Sequence, residues 1–252
     1  MKAREVETIE IVDDRTATSR CDEGFLRVSR LVVRNRYADG TFSEPYNCDV
    51  VSRRSIDAVA VVLYEIGADR RVRVLLKDGV RPATYLRKHK DLVAPDAYPY
   101  KTILEIAAGV LEPSDTGAGA IEQRAADEAW EECALRVDVG AVRHLGGEMF
   151  PSPGVGDEKV FFRSAAVPVD ETGVPEGDGS IMEEATLPVV LDLDVAIARC
   201  RDGSIPDMKT EIALLRLCDQ IGYLPQLGCF VDELPEPFRD RFRRLGLGDA
   251  GA

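Results

Sequence analysis

The pattern of apolar and polar positions predicts β-strands in the first third of the chain. Residues 25–33 alternate in part and residues 37–42 contain an Asp-Gly turn signal, so a β-hairpin or meander is expected. Two further strands, 57–64 and 72–76, flank a turn at 67–70. The segment 57–64 is apolar enough to lie in the centre of a sheet.

A helical period follows in residues 118–134, after a short strand at 103–107 and a loop rich in proline and glycine. One stripe of this helix is apolar at four-residue spacing and predicts the packed face: Ile121, Ala125, Ala129 and Cys133. A second stripe is charged and is expected to meet solvent or a ligand: Arg124, Glu128 and Glu132. The helix is therefore expected to have one face that packs and another that meets solvent or a ligand.

The remaining pattern predicts a mixed α/β protein. Strands are expected at 141–145, 159–167 and 186–191, and helices at 195–201, 208–221 and, as a short basic helix, 238–245. We divide the chain into an N-terminal β segment (1–55), a central domain (56–224) and a C-terminal tail (225–252).

Charge and composition exclude several classes of partner. The 252 residues carry a net charge of -13 and the pI is about 4.7, which argues against nucleic-acid or anionic-membrane binding. No apolar stretch has the length of a membrane span and the N-terminus lacks a signal-peptide pattern, so a cytoplasmic protein is expected. With only two histidines, Ser-His-Asp or Cys-His catalysis has little to draw on, which favours carboxylate and metal chemistry.

Three carboxylates on the helix suggest a metal site. Residues three and four apart share a helix face, so Glu128 lies beside both Glu131 and Glu132. Like charges at this spacing repel each other unless a cation joins them. Oxygen ligands suit a hard ion such as Mg²⁺, which commonly bridges to substrate phosphates. The alternative meaning of such a run is a solvated helix face.

This stretch resembles the signature of the Nudix hydrolases, in which a glycine, a loop glutamate and an Arg-Glu-x-x-Glu-Glu helix follow one another. Gly109 opens the pattern, Asp115 stands at the loop glutamate, and Glu128, Glu131 and Glu132 fill the helix. Three departures are visible. The loop after Asp115 is four residues longer, Asp127 replaces the arginine and Ala134 replaces the later glycine. Arg124, one turn before Glu128, is close enough in the helix to replace the missing arginine.

Other segments resemble the pyrophosphatases of ADP-ribose and nucleotide sugars within this family. Val80-Arg81-Pro82 resembles their Phe-Arg-Pro element, and Glu105 precedes an Ala-Ala-Gly that is similar to their Glu-Leu-Pro-Ala-Gly. The stretch 151–154 is similar to a Ser-Pro-Gly loop, with Glu158 beyond it. The resemblance implies a substrate-binding set: Arg81, Glu105, Ser152, Gly154 and Glu158.

The resemblance also implies a fold and an activity. The fold is an α/β/α Nudix sandwich with a mixed β-sheet, and the N-terminal β segment is expected to form a homodimer. The activity is hydrolysis of the diphosphate bond of ADP-ribose or a related nucleoside diphosphate sugar. It uses Mg²⁺, or Mn²⁺, held by Glu128, Glu131, Glu132 and the Ala108 carbonyl, with Glu131 also in a catalytic role.

Two points stay open at this stage. The general base is expected in the loop 175–184, with Asp178 nearest to the family position and Glu176 and Glu183 as alternatives. The stretch 128–133, Glu-Ala-Trp-Glu-Glu-Cys, also resembles UDP-sugar pyrophosphatases, so a UDP-sugar or GDP-sugar enzyme is an alternative. A nucleotide-sugar-binding regulator that has lost turnover is another.

Overall fold

The computed structural model describes residue 20 and residues 24–175 and 186–244, which form an α/β fold. The strands are β1 Leu26–Val33, β2 Tyr46–Arg53, β3 Ala58–Ile66, β4 Val72–Val80, β5 Thr102–Glu105, β6 Ala107–Val110, β7 Arg143–His144, β8 Val160–Ala166, β9 Leu187–Asp192, β10 Tyr223–Leu224 and β11 Cys229–Phe230. The helices are α1 Pro82–Tyr85, α2 Ala120–Cys133, α3 Leu193–Arg201, α4 Met208–Ile221 and α5 Glu236–Arg244.

Seven strands form a mixed sheet around β3. The order is β5-β4-β3-β8-β7, with β6 also paired to β3 and β9 also paired to β4. The β3–β8 pair is parallel and the others are antiparallel. Residues 58–63 of β3 are buried on both faces, so the central strand predicted from its apolar sequence is confirmed.

Helices cover both faces of this sheet because successive side chains of a strand point to opposite sides. Ala58, Ala60 and Val62 of β3 belong to the core that contains buried residues of α3 and α4. Val59, Val61 and Leu63 belong to the opposite core, which contains the apolar stripe of α2. The predicted helices at 118–134, 195–201 and 208–221 are therefore present, and two separate cores lie on either side of the sheet.

The sheet changes pairing partner at Ile106. β5 pairs with β4, whereas β6 pairs with β3, and Ile106 between them belongs to neither strand. Its buried N–H donates instead to the Thr210 hydroxyl on α4, at 2.9 Å, and that hydroxyl donates to Asp207 at 2.7 Å. A buried N–H left unbonded would be costly, so α4 fixes the point at which β6 turns toward α2.

The N-terminal segment forms the β1–β2 hairpin beside the main sheet. Its turn contains Gly40 at φ 86, whose N–H donates to the Tyr37 carbonyl at 3.0 Å, as the Asp-Gly signal predicts. The Val51 N–H donates to the Val155 carbonyl at 2.7 Å and ties the hairpin to the central domain. The hairpin exposes apolar side chains that a single chain does not cover: Phe25, Leu26, Leu31, Val32, Phe42 and Tyr46.

The C-terminal segment packs closely after α4. β10 and β11 form a small hairpin in which the rings of Tyr223 and Phe230 are 5.1 Å apart, and both rings lie in the core beneath α3 and α4. The domain boundary expected after residue 224 falls inside this hairpin. Of the strand expected at 141–145, only Arg143–His144 pairs with β8, because a 3-10 turn occupies 139–141.

Candidate functional site

Two carboxylates of α2, Glu128 and Glu132, face the sheet and not the solvent. Glu128 and Glu132 are only 7% and 4% exposed. One oxygen of Glu132 accepts the Ala108 N–H of β6 at 2.8 Å, and the other forms an ion pair with Lys77 of β4. The charged stripe is therefore buried against the strands next to β3, and a solvated helix face does not describe it.

Gly109 allows Glu128 to reach this position. A β-carbon built on Gly109 would lie 1.6 Å from one carboxylate oxygen of Glu128, far inside van der Waals contact. Any side chain at position 109 would therefore displace the carboxylate. The space beside Gly109 that a β-carbon would fill, here called the Gly109 cradle, is therefore occupied by the Glu128 carboxylate.

The environment of Glu128 is short of positive charge. Burial, with the nearby charges of Glu132 and Glu131, raises the pKa of Glu128 to about 8. Arg124 and Lys77 act in the opposite direction but do not offset the shift, and the Arg124 guanidinium is 3.9 Å from the carboxylate. A buried carboxylate of this kind gains stability from either a proton or a cation.

Arg124 is held mainly by the loop that precedes α2. Its guanidinium donates to both oxygens of Asp115, at 2.9 and 3.1 Å, and lowers the pKa of that carboxyl. Asp115 also accepts the Glu112 N–H at 2.9 Å. Arg124 thus joins the extended loop to the helix and reaches Glu128 only as a second partner, while Asp127 bonds Gln123 at the surface.

Ala134 stands where the motif has a glycine, and its backbone explains that preference. Ala134 ends α2 with φ 51 and ψ 33, in the left-handed region, and its N–H donates to the Trp130 carbonyl at 2.9 Å. Glycine adopts this conformation without the strain that a β-carbon introduces. The departure from the motif is therefore tolerated at a small conformational cost.

A second group of charges surrounds Glu105 at the end of β5. Glu105 is 3% exposed and accepts two hydrogen bonds from Arg81, one of them 2.7 Å from the guanidinium Nε. Lys209 lies 3.4 Å from the other oxygen of Glu105 and 2.7 Å from Asp207, which caps α4. Burial opposes the shift, but Glu105 and, to a smaller extent, Glu132 raise the pKa of Arg81, so the Glu132 carboxylate lies within electrostatic range of this network.

The Arg81 network forms one wall of a cleft of about 700 Å³. This size is within the range of small-molecule sites. Its charged and aromatic lining residues are Arg81, Arg87, Asp96, Tyr100, Glu105, Asp207 and Lys209. The predicted pair Arg81 and Glu105 is thus brought together at a cleft whose lining includes none of the α2 glutamates.

The other predicted substrate residues lie elsewhere among the described residues. The loop 150–158 rests against the N-terminal hairpin, where Glu158 forms an ion pair with Arg53 at 2.7 Å. Within that loop the Ser152 carbonyl accepts the N–H groups of Val155 and Gly156. Ser152, Gly154 and Glu158 do not line the 700 Å³ cleft. Asp178, Glu176 and Glu183 lie outside the described residues.

Two site residues were missed by the sequence reading. Lys77 is 3% exposed and neutralises Glu132, but the strand was predicted only as far as residue 76. A lysine in an apolar strand ahead of Gly79 was the available signal, since lysine is rarely buried without a partner. Lys209 lies two residues after Asp207, in the first turn of α4. An aspartate directly before a predicted helix indicates an N-cap, and this was the signal that could have drawn attention to these two residues.

The described residues contain no group of three or more acidic, histidine or cysteine side chains arranged to hold a metal ion. The same part of the chain has no helix with the length and apolar character needed to cross a membrane. No protein-family model matches the chain, and a comparison with curated proteins finds no match either.

Proposed function

We propose that the chain is a metal-dependent hydrolase of the diphosphate bond in ADP-ribose or a related nucleoside diphosphate sugar. One observation carries the proposal: the Glu128 carboxylate sits in the Gly109 cradle. Its helix neighbour Glu132 pairs with Lys77, which lies opposite Glu105 of the cleft wall in the β4–β5 register. The resemblance of the motif around these residues to that of the Nudix hydrolases supports it. The products would be a nucleoside monophosphate and a sugar phosphate.

The α2 carboxylates suit a hard divalent cation in donor type and in charge, but among the described residues no three of them converge on a point that an ion could occupy. Glu128 is buried with too little positive charge around it, and the cradle that a β-carbon would fill keeps its carboxylate in place. Glu128, Glu131, Glu132 and the Ala108 carbonyl would hold Mg²⁺, or Mn²⁺. When bound, such an ion polarises phosphoryl oxygens and lowers the pKa of an attacking water.

The chain's own cations would bind and orient the substrate. Arg81 retains side-chain exposure of 37% while Glu105 fixes its guanidinium, so its free edge is available to a phosphate. Lys209 adds a second positive charge on the same side of the cleft. We assign Glu131 or the loop residue Asp178 to proton transfer from the attacking water.

We also propose a homodimer formed through the β1–β2 hairpin. The hairpin segment exposes several large apolar side chains, among them Leu31, Val32 and Phe42, and a high density of exposed apolar side chains is typical of an interaction surface. Light scattering of the whole chain and of a Leu31→Lys/Val32→Lys variant tests this proposal. A monomeric wild-type chain would overturn it.

The hydrolase is tested by incubating the protein and Mg²⁺ with ADP-ribose, UDP-sugars and GDP-sugars and identifying the products. We expect Glu132→Gln and Glu128→Gln to lower kcat/KM at least about a hundredfold, because each removes a ligand charge. Asp127→Asn is the matched control on the same helix. It should retain activity because, among the described residues, the Asp127 carboxylate accepts a side-chain hydrogen bond only from Gln123. Full Mg²⁺-dependent hydrolysis by Glu132→Gln would refute the metal site.

A second function is favoured by one specific contact. The Lys77 ammonium already neutralises Glu132, and Asp127 stands in place of the motif's arginine, so the chain could bind nucleotide sugars without turning them over. Binding of a nucleotide sugar in calorimetry, with no product at saturating Mg²⁺, would support this regulator. If products form, the nucleotides that are hydrolysed identify the enzyme: hydrolysis of ADP-ribose alone indicates the ADP-ribose enzyme, and hydrolysis of UDP-sugars or GDP-sugars alone indicates the alternative.

A further inference from the structure

A basic segment lies between β4 and β5, in a chain whose overall charge is strongly negative. Arg87 and Lys88 lie in a 3-10 turn that directly follows α1, and Lys90 is the residue that ends this turn. The turn leads into the stretch 91–100, which is rich in proline and tyrosine. The segment therefore concentrates positive charge beside the cleft.

This basic segment encloses a second cavity of about 480 Å³. Three cations, Arg87, Lys88 and Lys90, line it together with Tyr98 and apolar residues such as Leu92. Asp96 is the acidic residue in the lining, and Arg87 donates to both of its oxygens, at 3.1 and 2.9 Å. The Lys88 ammonium lies 3.7 Å from the Tyr85 ring centre, and Lys90 is exposed. The cavity thus has a surplus of positive charge.

The second cavity adjoins the 700 Å³ cleft. The Arg87–Asp96 ion pair lines both. Tyr98 lines the second cavity and Tyr100 the first, and their rings meet edge to face with centres 6.1 Å apart. Tyr100 has φ 45, a left-handed conformation that is rare for a bulky side chain, and the Thr84 hydroxyl donates to its carbonyl at 3.0 Å. A ligand longer than the first cleft would extend over this tyrosine pair into the basic cavity.

We infer that the basic cavity is a subsite for an anionic substituent on the sugar of the substrate. The inference rests on the proposed function for its orientation, since Arg81 and Lys209 in the first cleft would hold the diphosphate. It assigns a substrate class: nucleoside diphosphate sugars whose sugar carries a carboxylate or a phosphate. The neutral sugars would bind by the same diphosphate contacts but would leave the basic cavity without a counter-charge.

The test compares equilibrium binding within two matched pairs. One pair is UDP-glucuronate and UDP-glucose, which differ by a carboxylate. The other is ADP-ribose with and without a phosphate on its terminal ribose. Calorimetry is done on the whole chain with EDTA present, so that turnover does not enter the measurement. We expect the anionic member of at least one pair to bind about tenfold more tightly, and this preference to shrink as salt is added.

Variants locate the preference on the chain. Lys88→Met and Lys90→Met should each reduce the ratio of the two affinities about threefold, and the double variant should abolish most of it. Arg71→Met is the matched control, because it removes the same charge at the opposite end of β4, where the Arg71 side chain is 73% exposed. A salt-dependent preference that falls only in the Lys88 and Lys90 variants supports the inference.

Equal affinities within both pairs, binding of no member, or a preference unchanged in the double variant would overturn the inference. The proposed function fails separately. In that case no nucleotide sugar is hydrolysed with Mg²⁺, whereas the difference in affinity within a pair remains.

Discussion

Glu105, at the end of β5, and Glu128, on helix α2, are almost equally buried but have opposite electrostatic surroundings. Glu105 has Arg81 and Lys209 within bonding reach. Glu128 has two acidic neighbours and a single guanidinium at 3.9 Å, and its pKa rises to about 8. Burial alone therefore does not distinguish these two carboxylates. The difference lies in whether the fold itself supplies the opposing charge.

The largest effect that would sharpen this contrast is stabilisation by metal. At about one hundred times its Kd, Mg²⁺ should raise the free energy of unfolding by about 2.7 kcal/mol, since an ion in the proposed site would bind the folded state only. The effect should grow with pH and level off above the Glu128 pKa of about 8, because the proton must leave before the metal binds. Thermal unfolding with and without Mg²⁺ at several pH values measures this.

The matched variants assign that effect to one carboxylate. Glu128→Gln should lose most of the Mg²⁺ stabilisation. It should also lose the fall in metal-free stability between pH 4.5, the ordinary glutamate pKa, and about 8, where the folded state keeps a proton that the unfolded state has released. Glu105→Gln should keep the response. A Glu128→Gln protein that responds to Mg²⁺ as the wild type does would end the distinction between the two sites.

A smaller effect is expected on metal-free stability. Glu105→Gln should lower the free energy of unfolding by about 2 kcal/mol, because Arg81 and Lys209 then lack a buried counter-charge. The exposure of both cations keeps the loss below that of a fully buried pair. Glu128→Gln should be neutral or slightly stabilising, because it removes repulsion from its neighbours. Chemical denaturation of both variants makes the comparison, and equal losses would contradict it.

The smallest expected effect lies at the end of α2 and touches neither carboxylate. Ala134→Gly should stabilise the protein by about 0.5 to 1 kcal/mol, because it relieves the left-handed strain at φ 51. Its Mg²⁺ response should equal that of the wild type. Ala120→Gly, at the other end of the same helix, is the control and should destabilise. A loss of stability in Ala134→Gly would show that the helix end is not strained.

Periodicity predicted the parts of the fold that depend on local sequence. β3, the apolar stripe of α2 and the helices α3 and α4 follow from runs and spacings that are visible in single segments. The switch of pairing at Ile106 could not be predicted in this way. A single strand was expected at 103–107, and only the Thr210 hydroxyl, 104 residues away, explains the break.

In the candidate site, too, the local sequence predicts some features and contacts between distant residues determine the others. Glu128, Glu132, Arg81 and Glu105 were found from the motif because their chemistry resides in residue type and spacing. The Lys77 partner of Glu132 was not found, since 55 residues of sequence separate the two. The expectation that the charged stripe meets solvent or a ligand followed from helix spacing alone, which does not reveal that β6 covers Glu128 and Glu132.

The parallel pairing of β3 with β8 has a consequence for synthesis of the chain. Residues 58–63 are buried on both faces and bond along one edge to residues 160–166, which the ribosome adds about 100 residues later. Until β8 emerges, the most apolar strand presents an open edge, and open apolar edges recruit other chains. A nascent chain that stalled within α2 would therefore carry its own aggregation site, and dependence on a chaperone should be greatest at that length.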